Sequence, residues 1–130
     1  MNTWQDYHIY GYSVDSLNRR LTFTLAWLEG DAEDVATLEF FGVCGYELNN
    51  DSMVSVIAAF EEVNLDRFFA EHGPEIKNSY WSTGAYGAWA ADLDRALDDL
   101  RREGTRAFIL SPAHGMFGWV LAKGVIEKAG

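Results

Sequence analysis

The chain has 130 residues, 48% of them hydrophobic and 15% aromatic, with ten basic against twenty acidic side chains for a formal net charge of −10. This mixture is too apolar for a disordered segment and fits one folded domain over 1–130; its negative field disfavours nucleic acid and anionic membranes and suits a basic protein partner. No stretch approaches the roughly 18 apolar residues of a membrane helix, the opening MNTWQDYHIYGYS lacks a signal peptide's basic start and apolar run, and the lone Cys44 leaves no internal disulfide, so a cytoplasmic protein is expected.

Residues 7–14, YHIYGYSV, are aromatic and β-branched and predict a first strand, followed by turn formers in DSLN. RRLTFTLAWL then alternates, with Leu21, Phe23, Leu25 and Trp27 on one face and Arg20, Thr22, Thr24 and Ala26 on the other. EGDAED, 29–34, reads as a polar turn and VATLEFFGV as a third strand. Gly42 and Gly45 flank Val43 and Cys44 and predict a bulge or bend, with Cys44 a small strand residue rather than a reactive thiol. MVSVIAAFEEV, 53–63, reads as a fourth strand on its β-branched residues, with helix as the alternative.

NLDRFFAEHGP carries helix punctuation at both ends, Asn64 as N-cap and Gly73–Pro74 as the stop, and predicts a short helix. PEIKNSYWSTGAYG, 74–87, has no period and reads as an irregular segment. AWAADLDRALDDLRREG predicts the long helix: Trp89, Leu93, Ala96, Leu97 and Leu100 repeat at helical spacing, with aspartates early and arginines late. TRAFILS is a fifth strand, PAHGMF a turn and GWVLAKGVI a sixth strand. The expected fold is α+β: an antiparallel sheet of five to six strands with one long and one short helix packed on one face. The long helix is expected to lie on Leu21, Phe23, Leu25 and Trp27.

Chemical signatures are sparse. His8, His72 and His114 lie on separate elements with no HxH, HExxH or CxxC spacing, so no metal site is expected, and the absence of GxxxxGK[ST] and GxGxxG gives no reason to expect a nucleotide or other cofactor. Ser111 and His114 share one turn but fit no triad pattern, so no catalytic residue is assigned and the balance leans away from an enzyme. What remains is aromatic. Tyr80, Trp81, Tyr86, His114, Met116 and Phe117 fall in segments read as irregular and are the candidate binding residues, since such side chains bring large contact areas; the competing reading has them closing the ends of a small core. In SPAHGMFGWVLAKG, Trp119 is expected to anchor the hairpin while His114, Met116 and Phe117 sit at its tip.

YGYSVDSLNRRLTF, FFGVCGYEL, FEEVNLDRFF, LRREGTRAFIL and SPAHGMFGWVLAKG together resemble a family of small, uncharacterised, acidic bacterial proteins, loosely similar to immunity-type proteins that neutralise a toxin by occluding it. The resemblance implies binding rather than catalysis and carries over no site residue. Three functions follow. The first is a non-enzymatic protein-binding module, immunity-like, for a basic partner. The second is a small-molecule or hydrolytic site beneath 74–87 that uses His114 with a carboxylate. The third is a self-associating protein that forms a symmetric homodimer.

Overall fold

Leu21, Phe23 and Leu25 alternate with polar neighbours along one strand, as do Ala36, Leu38 and Phe40 along the next, and all six are buried, as the period of two requires. The segments AFIL, 107–110, and GWVLA, 118–122, are apolar without alternation, the pattern of strands covered on both faces. In the computed structural model, which describes residues 4–27 and 34–129, these two kinds of strand form one sheet around one interior. The elements in chain order are β1 His8–Asp15, β2 Arg20–Ala26, β3 Val35–Phe41, β4 Gly45–Asn49, β5 Val56–Val63, α1 Leu65–Thr83, a 3₁₀ turn Ala88–Ala91, α2 Leu93–Arg102, β6 Arg106–His114, β7 Phe117–Ala122 and β8 Gly124–Ala129. Most of the polar turn expected over 29–34 lies outside the described residues.

The domain is mixed, with an antiparallel sheet and two α-helices, but the sheet has eight strands in the order β4-β7-β6-β5-β1-β2-β3-β8 and not five to six. Two of the expected strands are each broken into two. Gly42–Cys44 separates β3 from β4, where the glycines predicted a bend, and Lys123 separates β7 from β8. Because β4 continues β3 and β8 continues β7, the two ends of the strand order meet along one seam. Phe41 faces Gly124 on one side of the bend and Gly45 faces Leu121 on the other. The Lys123 N–H donates to the Phe41 carbonyl at 3.0 Å and holds the seam between them. The sheet therefore curls on itself, and Phe40 of β3 packs edge-on against Phe108 of β6 at 5.1 Å and stacks on Phe60 of β5 at 5.3 Å.

The helices lie outside this roll. Phe68, Phe69 and Ile76 of α1 and Ala96 and Leu100 of α2 form a second core with Ala107, Trp119 and Leu121, the outward residues of β6 and β7. The expected docking of Trp89, Leu93, Leu97 and Leu100 on Leu21, Phe23, Leu25 and Trp27 is thus corrected: Leu21, Phe23 and Leu25 face the roll's interior, which the strands fill themselves, and the Trp27 ring packs 5.3 Å from Tyr7.

The helix lengths are also reversed. α1 has 19 residues and α2 has 10, and the segment expected to be irregular, 74–87, is helical as far as Thr83. Asn64 caps α1 as expected, its Oδ1 accepting the Asp66 and Arg67 N–H groups. Gly73–Pro74 does not stop it. A proline costs an internal helix about 3 kcal/mol, but stopping there would expose Ile76, which is buried, and the half-buried Tyr80 against the second core. Gly73 serves packing instead: a Cβ there would sit 3.1 Å from Leu93 of α2. The helix ends at Gly84, in the left-handed region at φ 74°, whose N–H donates to the Tyr80 carbonyl.

A Cβ on Gly118 would land on the Glu47 carbonyl oxygen across the β4–β7 ladder, while one on Gly11 of β1 meets nothing within 4 Å. Gly118→Ala is expected to lose about 1–3 kcal/mol or more in urea unfolding because backbone must shift to admit it. Gly11→Ala should stay within about 0.5 kcal/mol of wild type. Equal effects would contradict the seam geometry.

Candidate functional site

The β6–β7 hairpin turns more tightly than PAHGMF suggested. β6 continues through Pro112 to His114, the turn is Gly115–Met116, and Gly115 takes φ 81° against the Val54 carbonyl and Ser55. Met116 is only 2% exposed and packs inside the roll, its N–H donating to Ser55 Oγ at 3.2 Å, so it is not at a presented tip. His114 and Phe117 are exposed beside it. Trp119 is buried, its ring 5.1 Å from Phe68 and its indole N–H donating to Glu47 Oε2 at 3.0 Å.

The other candidates lie elsewhere. Tyr80 and Trp81 are in the last turns of α1, ring to ring at 5.2 Å, with Trp81 68% exposed and Tyr80 half-buried. Tyr86 follows the helix, half-buried, 5.3 Å from Trp119. Burial, and then the nearby Glu47 and Glu75 carboxylates, raise its hydroxyl above the usual tyrosine pKa. Ring contacts therefore join Tyr80 to Trp81 and Tyr86 to Trp119, and among the described residues none joins either pair to His114 or Phe117. Met116, inside the roll, shares no surface with the other five.

Three surface features remain. A cleft of about 380 Å³ beneath α1 is lined by Glu47, His72, Glu75, Ser111 and Phe117. His72 there stacks on Phe68 at 5.1 Å, with Nε2 at 4.0 Å from Glu71. His114, the histidine expected to serve such a cleft, does not line it.

The second feature is a lip at β1. Its ladder to β2 runs from His8 to Asp15, but its pairing with β5 is confined to His8 opposite Val56, followed by the Ile9 N–H donating to the Ser55 carbonyl. Among the described residues, the edge from Tyr10 onward has no strand beside it. Tyr12 and Val14 lie opposite Phe23 and Leu21, on the interior side, yet remain exposed because β5 has diverged. Tyr10, Tyr12, Val14, Leu17, Met53 and Val54, six of the ten exposed large apolar side chains described, all belong to β1, its turn to β2 and the segment leading into β5, and the Tyr12 hydroxyl ties the lip to the 50–55 loop by donating to Asp51 Oδ2 at 2.9 Å. Sequence reading missed this lip, although the turn DSLN and the run NNDSMV on either side of it contain apolar residues that no period accounts for.

The third is a groove of about 930 Å³ at the seam bend, between the β1–β2 turn, Gly42–Tyr46 and the 85–89 segment. Cys44 lines it, half-buried, and burial pushes its thiol up to about 11. No known protein family, curated protein or solved structure matches the chain, so the functional argument rests on these surfaces.

A thiol so protonated is a poor nucleophile. Cys44 should react slowly with a disulfide reagent at pH 8 in the folded protein and quickly once urea unfolds it. Its ordinary value is 9.0, so the folded state binds the proton more tightly. The associated stability is full below about pH 9 and is lost as pH rises towards about 11. Cys44→Ala should flatten that alkaline loss in thermal melts.

Proposed function

We propose that the protein is a non-enzymatic protein-binding module whose contact surface is the β1 lip, and that its partner offers an extended basic segment. The observation that carries this is the edge from Tyr10 to Asp15, which has no strand beside it among the described residues and is bordered by the exposed side chains of Tyr10, Tyr12, Met53 and Val54. An open strand edge presents a row of backbone donors and acceptors that an added strand satisfies, and large exposed apolar side chains beside it supply the contact area. Asp51 stands on the lip in a chain of net charge −10, which favours a positively charged segment. The immunity-like comparison fits this reading as an analogy of behaviour. Trp81 and Phe117 are separate exposed aromatics, and any contact they make belongs to a different surface.

A second reading, acid–base chemistry, has the cleft beneath α1 as its support, with His72, Glu47 and Glu75 in place of His114. The Glu47 carboxylate is engaged by the Trp119 indole, which favours a structural role for it.

The test is site-specific photo-crosslinking in the cells the protein comes from, with a photoreactive amino acid at Tyr10, at Met53, and at Asp98 on α2 as the control. The lip sites should both capture the same polypeptide, and the Asp98 site should not. A covalent dimer of the chain would assign the lip to self-association instead. Absence of any adduct at the lip, or identical adducts at all three positions, would remove the proposal.

A further inference from the structure

The groove at the seam bend gathers positive charge in an acidic molecule. Three of the ten cationic side chains, Arg19, Arg20 and Lys123, line it. Arg20 is paired with Glu39. Arg19 and Lys123 make no ion pair among the described residues, nor do Lys77 on α1 and Lys128 on β8, whereas Arg67, Arg95, Arg101, Arg102 and Arg106 do. The one carboxylate lining the groove, Asp15, is already occupied by the Asn18 side-chain amide at 2.8 Å and the Asn18 N–H at 3.2 Å.

The backbones of Arg19 and Lys123 are both bonded to the same bend. The Arg19 carbonyl accepts the Val43 N–H at 3.0 Å, and the Lys123 N–H donates to Phe41. The Lys123 stem lies over Gly42, where a Cβ would come within 2.8 Å of its Cγ. Facing them is an apolar and aromatic wall of Val43, Tyr46, Tyr86 and Trp89. Two of the four non-glycine residues described with positive φ, Arg19 at 54° and Tyr86 at 70°, line this groove. Backbone in that region costs of order 1–3 kcal/mol for such side chains and persists where the surroundings demand it. The Trp89 indole N–H is enclosed with no acceptor among the described residues.

We infer that this groove binds a small organic anion with a flat apolar body, of the aromatic carboxylate or sulfonate class, its charge between Arg19 and Lys123 and its ring against Tyr46, Tyr86 and Trp89. The volume suits such a ligand, and a few placed charges on an apolar wall are the usual composition of a small-molecule site. Arg19 supplies a planar donor fork and Lys123 a point charge, a combination that orients an oxyanion without reading the rest of the molecule.

The probe is 2-naphthoate, followed by two-dimensional amide and indole NMR on the intact chain, with 2-naphthamide as the uncharged ring control and inorganic phosphate as the charge without a ring. Naphthoate should give saturable shifts at Arg19, Tyr46, Trp89 and Lys123. Naphthamide, and naphthoate on Arg19→Gln or Lys123→Gln, should each bind about tenfold more weakly, the loss of one charge-assisted contact. Phosphate alone should bind more weakly than naphthoate. If Lys123→Gln unfolds, Lys123→Met keeps the stem over Gly42 and removes only the charge. Equal binding of naphthoate and naphthamide, shifts centred on the cleft beneath α1, or no saturation at millimolar ligand would overturn the assignment.

Discussion

Burial of the β6–β7 hairpin on both faces is the constraint from which the rest of the architecture follows. Phe108, Leu110, Val120 and Ala122 point into the roll, while Ala107, Ile109, Trp119 and Leu121 point out towards the helices. An interior that draws on eight strands cannot also be covered by helices, so the helices are left with the outward side of these two strands. Trp119 makes the arrangement specific. It is the largest fully buried side chain, it contacts Phe68 and Tyr86, and its one polar atom is satisfied by Glu47 across the β4–β7 ladder. A buried tryptophan with its N–H paired fixes register as well as contributing apolar area.

That same hairpin explains what could be read from the residues and what could not. β1, β2, β3 and β5 follow from local pattern, as do the Asn64 cap, the bend at Gly42–Gly45 and the anchoring role of Trp119. The clean alternation of RLTFTLA shows that one face of β2 is dry, but alternation does not say whether helix or strand covers it. The informative contrast was between that segment and the continuous apolar runs AFIL and WVLA, which mark the strands with two dry faces and hence the ones the helices need. Strand number was misread for a related reason: a break of one residue at Lys123 leaves the apolar run intact while turning the strand into a different part of the sheet.

The helix reversal and the inward placement of Met116 have tertiary causes. Gly73–Pro74 is local stop chemistry, and it is overridden because Ile76 has a buried place to occupy and because Gly73 is needed where α1 passes Leu93. Once 74–83 is helix, Tyr80 and Trp81 cease to be loop residues. Met116 looked like a hairpin tip because it sits between glycines, yet Gly115 turns the chain sharply enough to drop that side chain into the interior. The lip and the groove were illegible for the opposite reason. Each is assembled from segments far apart in sequence, and each depends on where β5 leaves β1 or where β3 and β7 bend.

These two surfaces are consequences of how a curled sheet closes. The seam between residues 35–49 and 117–129 shuts one side of the roll, and the bend it requires places Lys123 over Gly42 and draws the Arg19 carbonyl to Val43. On the other side β1 and β5 share a single paired position before diverging, which leaves Tyr12 and Val14 with interior orientation and no interior to fill. The arginines elsewhere are paired locally: Arg101 and Arg102 sit in the last turn of α2, where the helix dipole and Asp66, Asp98 and Asp99 hold them, and Arg106 is bound to Glu62. Positive charge left unspent at the bend is therefore positioned by the backbone of the seam rather than by an acidic partner. Main-chain bonds set where these two side chains emerge beside an aromatic wall, and the Lys123 stem lies over Gly42, so both charges are delivered to the same groove of an otherwise acidic protein.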